Sequence, residues 1–369
     1  MRNNEKKVNE PLFHIAKRAA LPFWQSWLIR LGAVVTALLV CALIIVLFTG
    51  ENPLSIYGSM IDGAIGTKRR VWKLAQDTAM LLCVAVAVTP AFRMKFWNIG
   101  AEGQVLAGGL ATAICMLFLG ESLPPAILFL VMIVVSIVAG ALWAVIPAVF
   151  KAIWNTNETL FTLMMNYIAI QLVSYCALKW SVPKGSGKIG MINQATHAGW
   201  LPELAGSPYL FSIILVFIIT VGMYIYLKYN KHGYEISVVG ESENTARYIG
   251  INVKKVIIRT MLLSGAVCGI AGFLLVSGAD RTITPDTAAG RGFTAIMVSW
   301  IAKFNPIMMI LSSLLIVFLQ KGAVEIATIF GLNKSFSDII TGIIIFFIIG
   351  SEFFINYTIK FRENRKERK

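Results

Sequence analysis

Uncharged apolar runs of about twenty residues are the feature that most restricts the fold of this chain. Leu31–Phe48 contains no charged residue, and Phe336–Ile355 contains only Asp338 and Glu352, near its two ends. A helix needs about 20 apolar residues to cross about 30 Å of hydrocarbon. Charged residues make up 14% of the sequence, whereas a soluble domain is about one-quarter charged. These observations predict an all-α, polytopic helical membrane protein.

We predict about ten membrane-spanning segments within a transmembrane domain at residues 27–357. The second, third, eighth and ninth segments are predicted to be interrupted or short, hence broken or re-entrant. Residues 1–26 form a basic head and residues 358–369 a basic tail, and the distribution of Lys and Arg predicts that both lie in the cytoplasm. The predicted segments are 27–49, 74–92, 100–119, 124–150, 158–179, 208–227, 256–277, 287–303, 306–328 and 336–357.

Two connections are longer than the others. The outer one, about 180–207, is rich in Gly, Pro and Ser, whereas the inner one, about 228–255, is polar and contains a short helical window at Glu243–Tyr248. A folded inner loop is where a membrane protein would meet a soluble partner. The alternative is a solvated loop whose Arg247 acts only as a positive charge on the inner side.

The stretch Phe92–Ala113 joins two apolar segments through polar side chains and closely spaced glycines. Asn98, Glu102 and Gln104 lie in it. A carboxylate and two amides at membrane depth are expected to face protein or water. We predict that this stretch lines a substrate path; the alternative for Glu102 is contact with interfacial water.

A second polar set lies in the segment 157–171. Glu158, Thr162 and Asn166 are four residues apart and therefore share one helix face. This face is predicted to point toward a cavity, or to hydrogen-bond a neighbouring helix. Trp300 is a candidate for stacking on a planar substrate, with an interfacial aromatic anchor as the alternative.

A weak internal repeat is also suggested. Trp97-Asn98 and the pair Trp300 and Asn305 each precede an apolar run, and transporters often duplicate broken helices in two halves. Chance similarity explains two such matches equally well.

Motifs of enzymes and of nucleic-acid binding are missing from the sequence. The three histidines are far apart, and neither H-E-x-x-H nor G-x-S-x-G occurs. The GSGK at 185–188 lacks the spacing and the following Ser or Thr of a phosphate-binding loop. The net charge of +14 fits the flanks of membrane segments better than a nucleic-acid surface. We therefore expect no catalytic residue, no metal site and no cofactor in this chain.

Three motifs resemble those of permease subunits of ABC importers. They are F-x-x-x-x-x-N-I-G-A-E-G-Q (Phe92 to Gln104), N-E-T-L-x-T-L-M-M-N-Y-I-A (Asn157 to Ala169) and G-E-S-x-N-x-A-R-Y-x-G-I (Gly240 to Ile251). The resemblance covers about residues 27–357. It is greatest to nucleoside permeases that work with a lipoprotein receptor of the basic membrane protein type, and weaker to branched-chain amino acid and ribose-type sugar permeases.

The resemblance implies a non-catalytic subunit that forms the path of a small polar substrate through a bacterial cell membrane. It implies three protein partners: an ATP-binding subunit, which would hold ATP and Mg, a second permease in a heterodimer, and an extracytoplasmic substrate-binding lipoprotein. The ATP-binding subunit would dock on the inner loop and bias two arrangements of the spans. The loop residues that match the family are Gly240, Glu241, Asn244, Ala246, Arg247, Tyr248, Gly250 and Ile251.

Other functions stay open at this point. The same machinery could carry a simple sugar or a branched-chain amino acid. An amino-acid site would need charges for both the ammonium and the carboxylate group, and the spans offer Glu102 and Glu158 but few buried cations. An ATP-independent secondary transporter is a further alternative, against which stand the folded inner loop and the absence of a proton or sodium relay.

Overall fold

The computed structural model describes residues 13–18, 21–50, 52–181, 189–331 and 333–361, and these residues are almost entirely helical. They separate into two compact units, residues 64–321 and residues 1–63 with 322–369. The elements in chain order are β1 (Phe13–Lys17), α1 (Phe23–Thr49), α2 (Pro53–Ile65), α3 (Lys68–Arg93), α4 (Ala101–Leu119), α5 (Pro125–Trp154), α6 (Glu158–Lys179), α7 (Leu210–Tyr229), α8 (Lys231–Glu241), α9 (Glu243–Tyr248), α10 (Val253–Leu274), α11 (Arg291–Ile301), α12 (Pro306–Ile329), α13 (Lys334–Asn356) and β2 (Tyr357–Phe361).

The polytopic helical architecture is confirmed, with corrections to individual segments. Nine helices of the described residues are long and apolar enough to cross a membrane. The eighth segment, 287–303, was predicted to be short or interrupted, and it contains only the 11-residue α11. At 1.5 Å per residue α11 is about 16 Å long and too short to cross alone. The expected interruptions in the second and ninth segments were wrong, because α3 and α12 are continuous helices of 26 and 24 residues.

Capping residues explain two helix starts. The Thr67 hydroxyl accepts a hydrogen bond of 3.2 Å from the Arg70 amide and starts α3, so residues 68–73, four of them basic, belong to the first turns of this helix. The Asn157 side chain likewise accepts a hydrogen bond of 3.2 Å from the Leu160 amide and starts α6. Both caps supply an acceptor to a backbone amide that has no partner within the helix.

The centre of the larger unit is α10, which packs against α3, α4 and α5. The G-x-x-x-G at Gly265 and Gly269 permits this close packing: a methyl group on Gly265 would overlap the Gly140 carbonyl oxygen of α5. Small residues let helix backbones approach in a membrane protein.

The smaller unit is built on the pairing of α1 with α13. Arg30 and Glu352 form an ion pair at 2.5 Å between these helices. The ends of the described chain form an antiparallel two-stranded ladder of β1 and β2, which the all-α prediction missed. Because these strands pair directly, the start of α1 and the end of α13 lie next to each other. Most of the predicted head, the tail beyond 361 and residues 182–188 of the outer loop lie outside the described residues.

Candidate functional site

A seven-residue linker, residues 94–100, connects α3 to α4 and forms the centre of the candidate site. Asn98 is fully buried in it. Its Oδ1 accepts hydrogen bonds of 3.1 Å from the Gly100 amide and from Gln104 Nε2, and its Nδ2 donates to Ser264 Oγ of α10 at 3.2 Å. The two predicted amides thus bind each other and connect the linker to α10.

Helix α6 holds the same linker from another direction. Thr162 Oγ1 accepts a hydrogen bond of 3.2 Å from the Ile99 amide. Asn166 Oδ1 accepts one of 2.8 Å from the Gly103 amide, and its Nδ2 donates one of 2.8 Å to the Ile99 carbonyl. A β-carbon on Gly103 would lie 3.0 Å from Asn166 Oδ1, so α6 packs tightly against this glycine. The structure therefore brings Asn98, Gln104, Thr162 and Asn166 together in one buried network.

Glu102 contacts the start of α11. Its carboxylate is buried and accepts hydrogen bonds of 2.7 Å from the Gly290 and Gly292 amides. A helix N-terminus presents unpaired amides and a partial positive charge, so a carboxylate is favourable there. The charge of Glu102 is thus accommodated by a helix end without any bound molecule. Its predicted role in a substrate path is not tested by this contact.

Glu158 lies apart from this network. It forms an ion pair of 2.9 Å with Lys151, between the end of α5 and the start of α6. Although Glu158, Thr162 and Asn166 share a helix face as predicted, only Thr162 and Asn166 reach the linker.

Trp300, the remaining predicted path residue, is paired with an aromatic ring of the linker. The rings of Trp97 and Trp300 lie 5.6 Å apart with an interplanar angle of 33°. They are 42% and 49% exposed. The pair therefore offers an open aromatic surface directly beside the buried amides.

An ion cluster that the sequence analysis missed lies within the same unit. Asp77 of α3 is buried, and its carboxylate is 2.5 Å from Lys321, 3.3 Å from Arg291 and 3.9 Å from Lys73. Burial raises the pKa of the neighbouring Asp280, a shift that the positive charge of Arg291 reduces. The available signal was an aspartate inside a predicted membrane segment, which by itself indicates a buried partner.

The inner loop is folded, as predicted, and its short helix is α9, Glu243–Tyr248. Ala246 is fully buried, whereas Tyr248 is 92% exposed. Arg247 forms an ion pair of 3.1 Å with Glu243 of the same helix. One face of α9 is therefore seated on the protein, and its aromatic and charged side chains point outward.

Two contacts connect this loop to the spans. Gly240 lies against the end of α3, where an added β-carbon would overlap the Arg93 carbonyl oxygen. Glu235 of α8 is 2.8 Å from Arg259 of α10, and the hydrogen bond from Arg259 lowers the pKa of Glu235. Loop residues Glu241 and Asn244 are exposed, and Gly250 adopts a φ of +86°, which favours glycine. A displacement of α8 would therefore reach the linker through Arg93.

Comparison with known proteins gives one family match. The model of the family described as "Branched-chain amino acid transport system / permease component" matches residues 71–349. The chain is 28% identical to the glucose ABC transporter permease protein TsgB13 of Haloferax volcanii, over 95% of this chain and 94% of that protein. It is 28% identical to the guanosine ABC transporter permease protein NupP of Bacillus subtilis, over 93% and 97%. A second guanosine ABC transporter permease protein of Bacillus subtilis, NupQ, is 25% identical over 71% of this chain and 79% of its own length.

Proposed function

The chain belongs to the family of branched-chain amino acid transport system permease components, and on that premise we propose that it forms the membrane path for nucleosides in an ABC importer. The observation that carries the proposal is the half-exposed pair of Trp97 and Trp300 beside a network of amides. A nucleoside combines an aromatic base with neutral hydroxyl groups. Aromatic rings stack on such a base, and amides match its hydrogen-bonding edge.

The similarity to NupP and NupQ, both named for guanosine, supports this substrate class. A simple sugar is the second candidate, and the similarity to TsgB13, which is named for glucose, favours it. A sugar lacks an aromatic base, so contact with the tryptophan pair would contribute less to its binding free energy.

The proposed path includes the buried polar residues of the site. In the present state Asn98, Gln104 and Asn166 are bound to the protein itself. We propose that rearrangement of these bonds exposes the amides as the path opens, while Thr162 and Glu102 keep the linker attached to its neighbours. Glu158, beside Lys151, is proposed to lie at the inner end of the path.

The partners complete the proposal. The α9 surface with Arg247 and Tyr248 would dock on an ATP-binding subunit that holds ATP and Mg. A second, similar permease would form the other wall of the path, as the two guanosine permeases of Bacillus subtilis suggest. An extracytoplasmic substrate-binding lipoprotein would deliver cargo at the outer loop. Both termini would lie in the cytoplasm of a bacterial cell.

Uptake of labelled guanosine and uridine into cells with and without this chain tests the function. Unlabelled nucleosides, glucose and leucine serve as competitors, and ATP-depleted cells as the energy control. Uptake that requires the chain and ATP, and that only nucleosides compete, is expected. Competition by glucose would move the assignment to a sugar, and uptake that survives ATP depletion would refute an ABC importer.

The tryptophan pair is tested by Trp300→Ala. Loss of an aromatic contact worth about 0.5–1.5 kcal/mol is expected to raise the KM of uptake about 2- to 13-fold. Trp154→Ala, at an exposed tryptophan of α5, is the matched control and should leave the KM unchanged. Asn98→Ala and Asn166→Ala should cut uptake while leaving membrane insertion intact. Wild-type kinetics in Trp300→Ala and in both amide variants would refute the proposed path.

A further inference from the structure

Helix α6 is buried along one side only. Within the described residues it packs against α4 and α5, and its buried side contains Thr162, Asn166, Ala169 and Val173. The opposite side is exposed along the whole helix. Its exposed residues form a stripe that recurs every three or four positions: Leu160, Met164, Tyr167 with Ile168, Gln171 with Leu172, Tyr175 and Leu178. This spacing is that of a seam between two packed helices.

Gln171 lies at the middle of that exposed side. It follows Thr162 by nine residues, which is two and a half helical turns and therefore the opposite face. It lies about 20 Å along α6 from Glu158, well within hydrocarbon depth. In the part of the chain that the structure describes, its carboxamide makes no hydrogen bond. Tyr167 and Tyr175, one turn to either side, are 57% and 61% exposed.

Lipid tails cannot satisfy these groups. A carboxamide without a hydrogen-bond partner in an apolar medium costs several kcal/mol. The neighbouring helix α5 shows what a lipid-facing side looks like in this protein. Its exposed residues from 127 to 150 are all apolar, and Leu130, Val138 and Leu142 are examples. The exposed side of α6 differs from that of α5 in requiring donors and acceptors from its occupant.

We propose that this side of α6, from Leu160 to Leu178, packs against a transmembrane helix of a second, similar permease subunit that hydrogen-bonds Gln171. This inference rests on the proposed function, which requires such a partner. A related permease provides what the surface needs: an apolar helix with polar side chains, able to interlock with Met164 and to pair with a carboxamide. The same helix clamps the linker through Thr162 and Asn166. A movement between the subunits would therefore reach the candidate site directly.

Site-specific photocrosslinking in the full importer tests the proposal. The photoreactive residue p-benzoylphenylalanine replaces Gln171 in one variant and Leu142, 61% exposed on α5, in the matched control. Membranes containing all subunits are irradiated, and adducts are identified by mass spectrometry. Position 171 is expected to crosslink to the second permease at least ten times more than position 142, which should give lipid adducts.

Other adducts at position 171 would overturn the proposal. These are lipid adducts as at position 142, crosslinks within this chain, and crosslinks to a second copy of it. A fourth contradicting result combines two observations: position 171 forms no crosslink, and a cysteine placed at 171 is labelled by a membrane-impermeant thiol reagent. The last outcome would assign the surface to a water-filled path.

A smaller substitution gives an independent measurement. Gln171→Leu is expected to weaken co-purification of the second permease about 3- to 30-fold, the loss of one hydrogen bond between membrane helices. Gln171→Asn should restore part of it, and Leu142→Ala should have no effect. Equal co-purification in all variants would refute the contact. Uptake by the wild-type chain is measured in parallel: its absence would refute the proposed function, whereas its presence together with a lipid-facing Gln171 would refute only this inference.

Discussion

Replacement of Glu102 tests how a buried carboxylate is accommodated in the site. Glu102 accepts two hydrogen bonds of 2.7 Å from the Gly290 and Gly292 amides at the start of α11. Alanine would leave both amides, and the positive end of the helix, without an acceptor. Glutamine would keep one acceptor oxygen but lose the negative charge.

The magnitude follows from the two contacts. A hydrogen bond to a charged group contributes about 1.5–3 kcal/mol, so the two together contribute about 3–6 kcal/mol to the local stability of α11. Since each 1.4 kcal/mol is a factor of ten, amide exchange at the start of α11 should accelerate about 10²- to 10⁴-fold in Glu102→Ala. Glu102→Gln should lose roughly half of this free energy.

Hydrogen–deuterium exchange of the purified importer, read on peptides that cover 288–301, measures this effect. Glu121→Gln is the matched control, because Glu121 follows α4 and is exposed; it should leave the exchange unchanged. Unchanged exchange and an unchanged melting midpoint in Glu102→Ala would refute the capping role. Such a result would favour the alternative that the Glu102 carboxylate is needed for the substrate path.

Four further predictions follow from the described contacts. Gly240→Ala is expected to displace α8 from the end of α3 and to lower uptake more than tenfold while the ATP-binding subunit still associates. Arg247→Glu should instead abolish that association, because it reverses a charge on the exposed face of α9 that we propose as the docking surface. Asp77→Asn should lower the stability by about 3 kcal/mol, measured as the melting midpoint, because it removes the anion from among three cations. Because Arg259 lowers the pKa of Glu235 below 4.5, the stability from that pair is present above about pH 4.5 and should be lost as the pH falls through the folded-state pKa.

Each of these four predictions has a control variant or a result that would contradict it. Gly222 of α7 has open space at its β-carbon, so Gly222→Ala should transport normally; normal uptake in Gly240→Ala would exclude coupling through this contact. Retained ATPase binding in Arg247→Glu would exclude α9 as the docking surface. Lys73, the most distant of the three cations, can be removed with little loss. Equal acid sensitivity of Glu235→Gln and wild type would contradict the pH prediction.

The sequence predicts those segments whose structure depends on the types of residue along a whole helical turn or a whole membrane-spanning segment. Apolar length located the nine long helices found among the described residues, because crossing hydrocarbon requires about 20 consecutive apolar residues. The window Glu243–Tyr248 was predicted as a helix and is α9. The predicted segments 74–92 and 100–119 left a polar connection between them, and residues 94–100 are indeed not helical.

Partners of individual side chains could not be predicted in the same way. Asp77 contacts Arg291 and Lys321, more than 200 positions further along the chain. Glu102 likewise accepts a hydrogen bond from the amide of Gly290, which is 188 positions further along the chain. No local pattern encodes such pairs. The short α11 was predicted too long because apolar residues buried in protein resemble apolar residues in lipid.

The sequence alone therefore determined that this protein is a helical membrane protein, where its long helices run, and which polar residues must avoid lipid. The free energy of transfer from water to hydrocarbon is a property of each residue, and it adds along a segment whatever the segment touches. Only the tertiary structure decided which partner each polar group has. Asn98 and Asn166 became a clamp on the linker, whereas Gln171, from the same polar segment, faces outward. Hydrogen bonds depend on distances between atoms that packing alone brings together, so their partners emerge only when the helices are assembled.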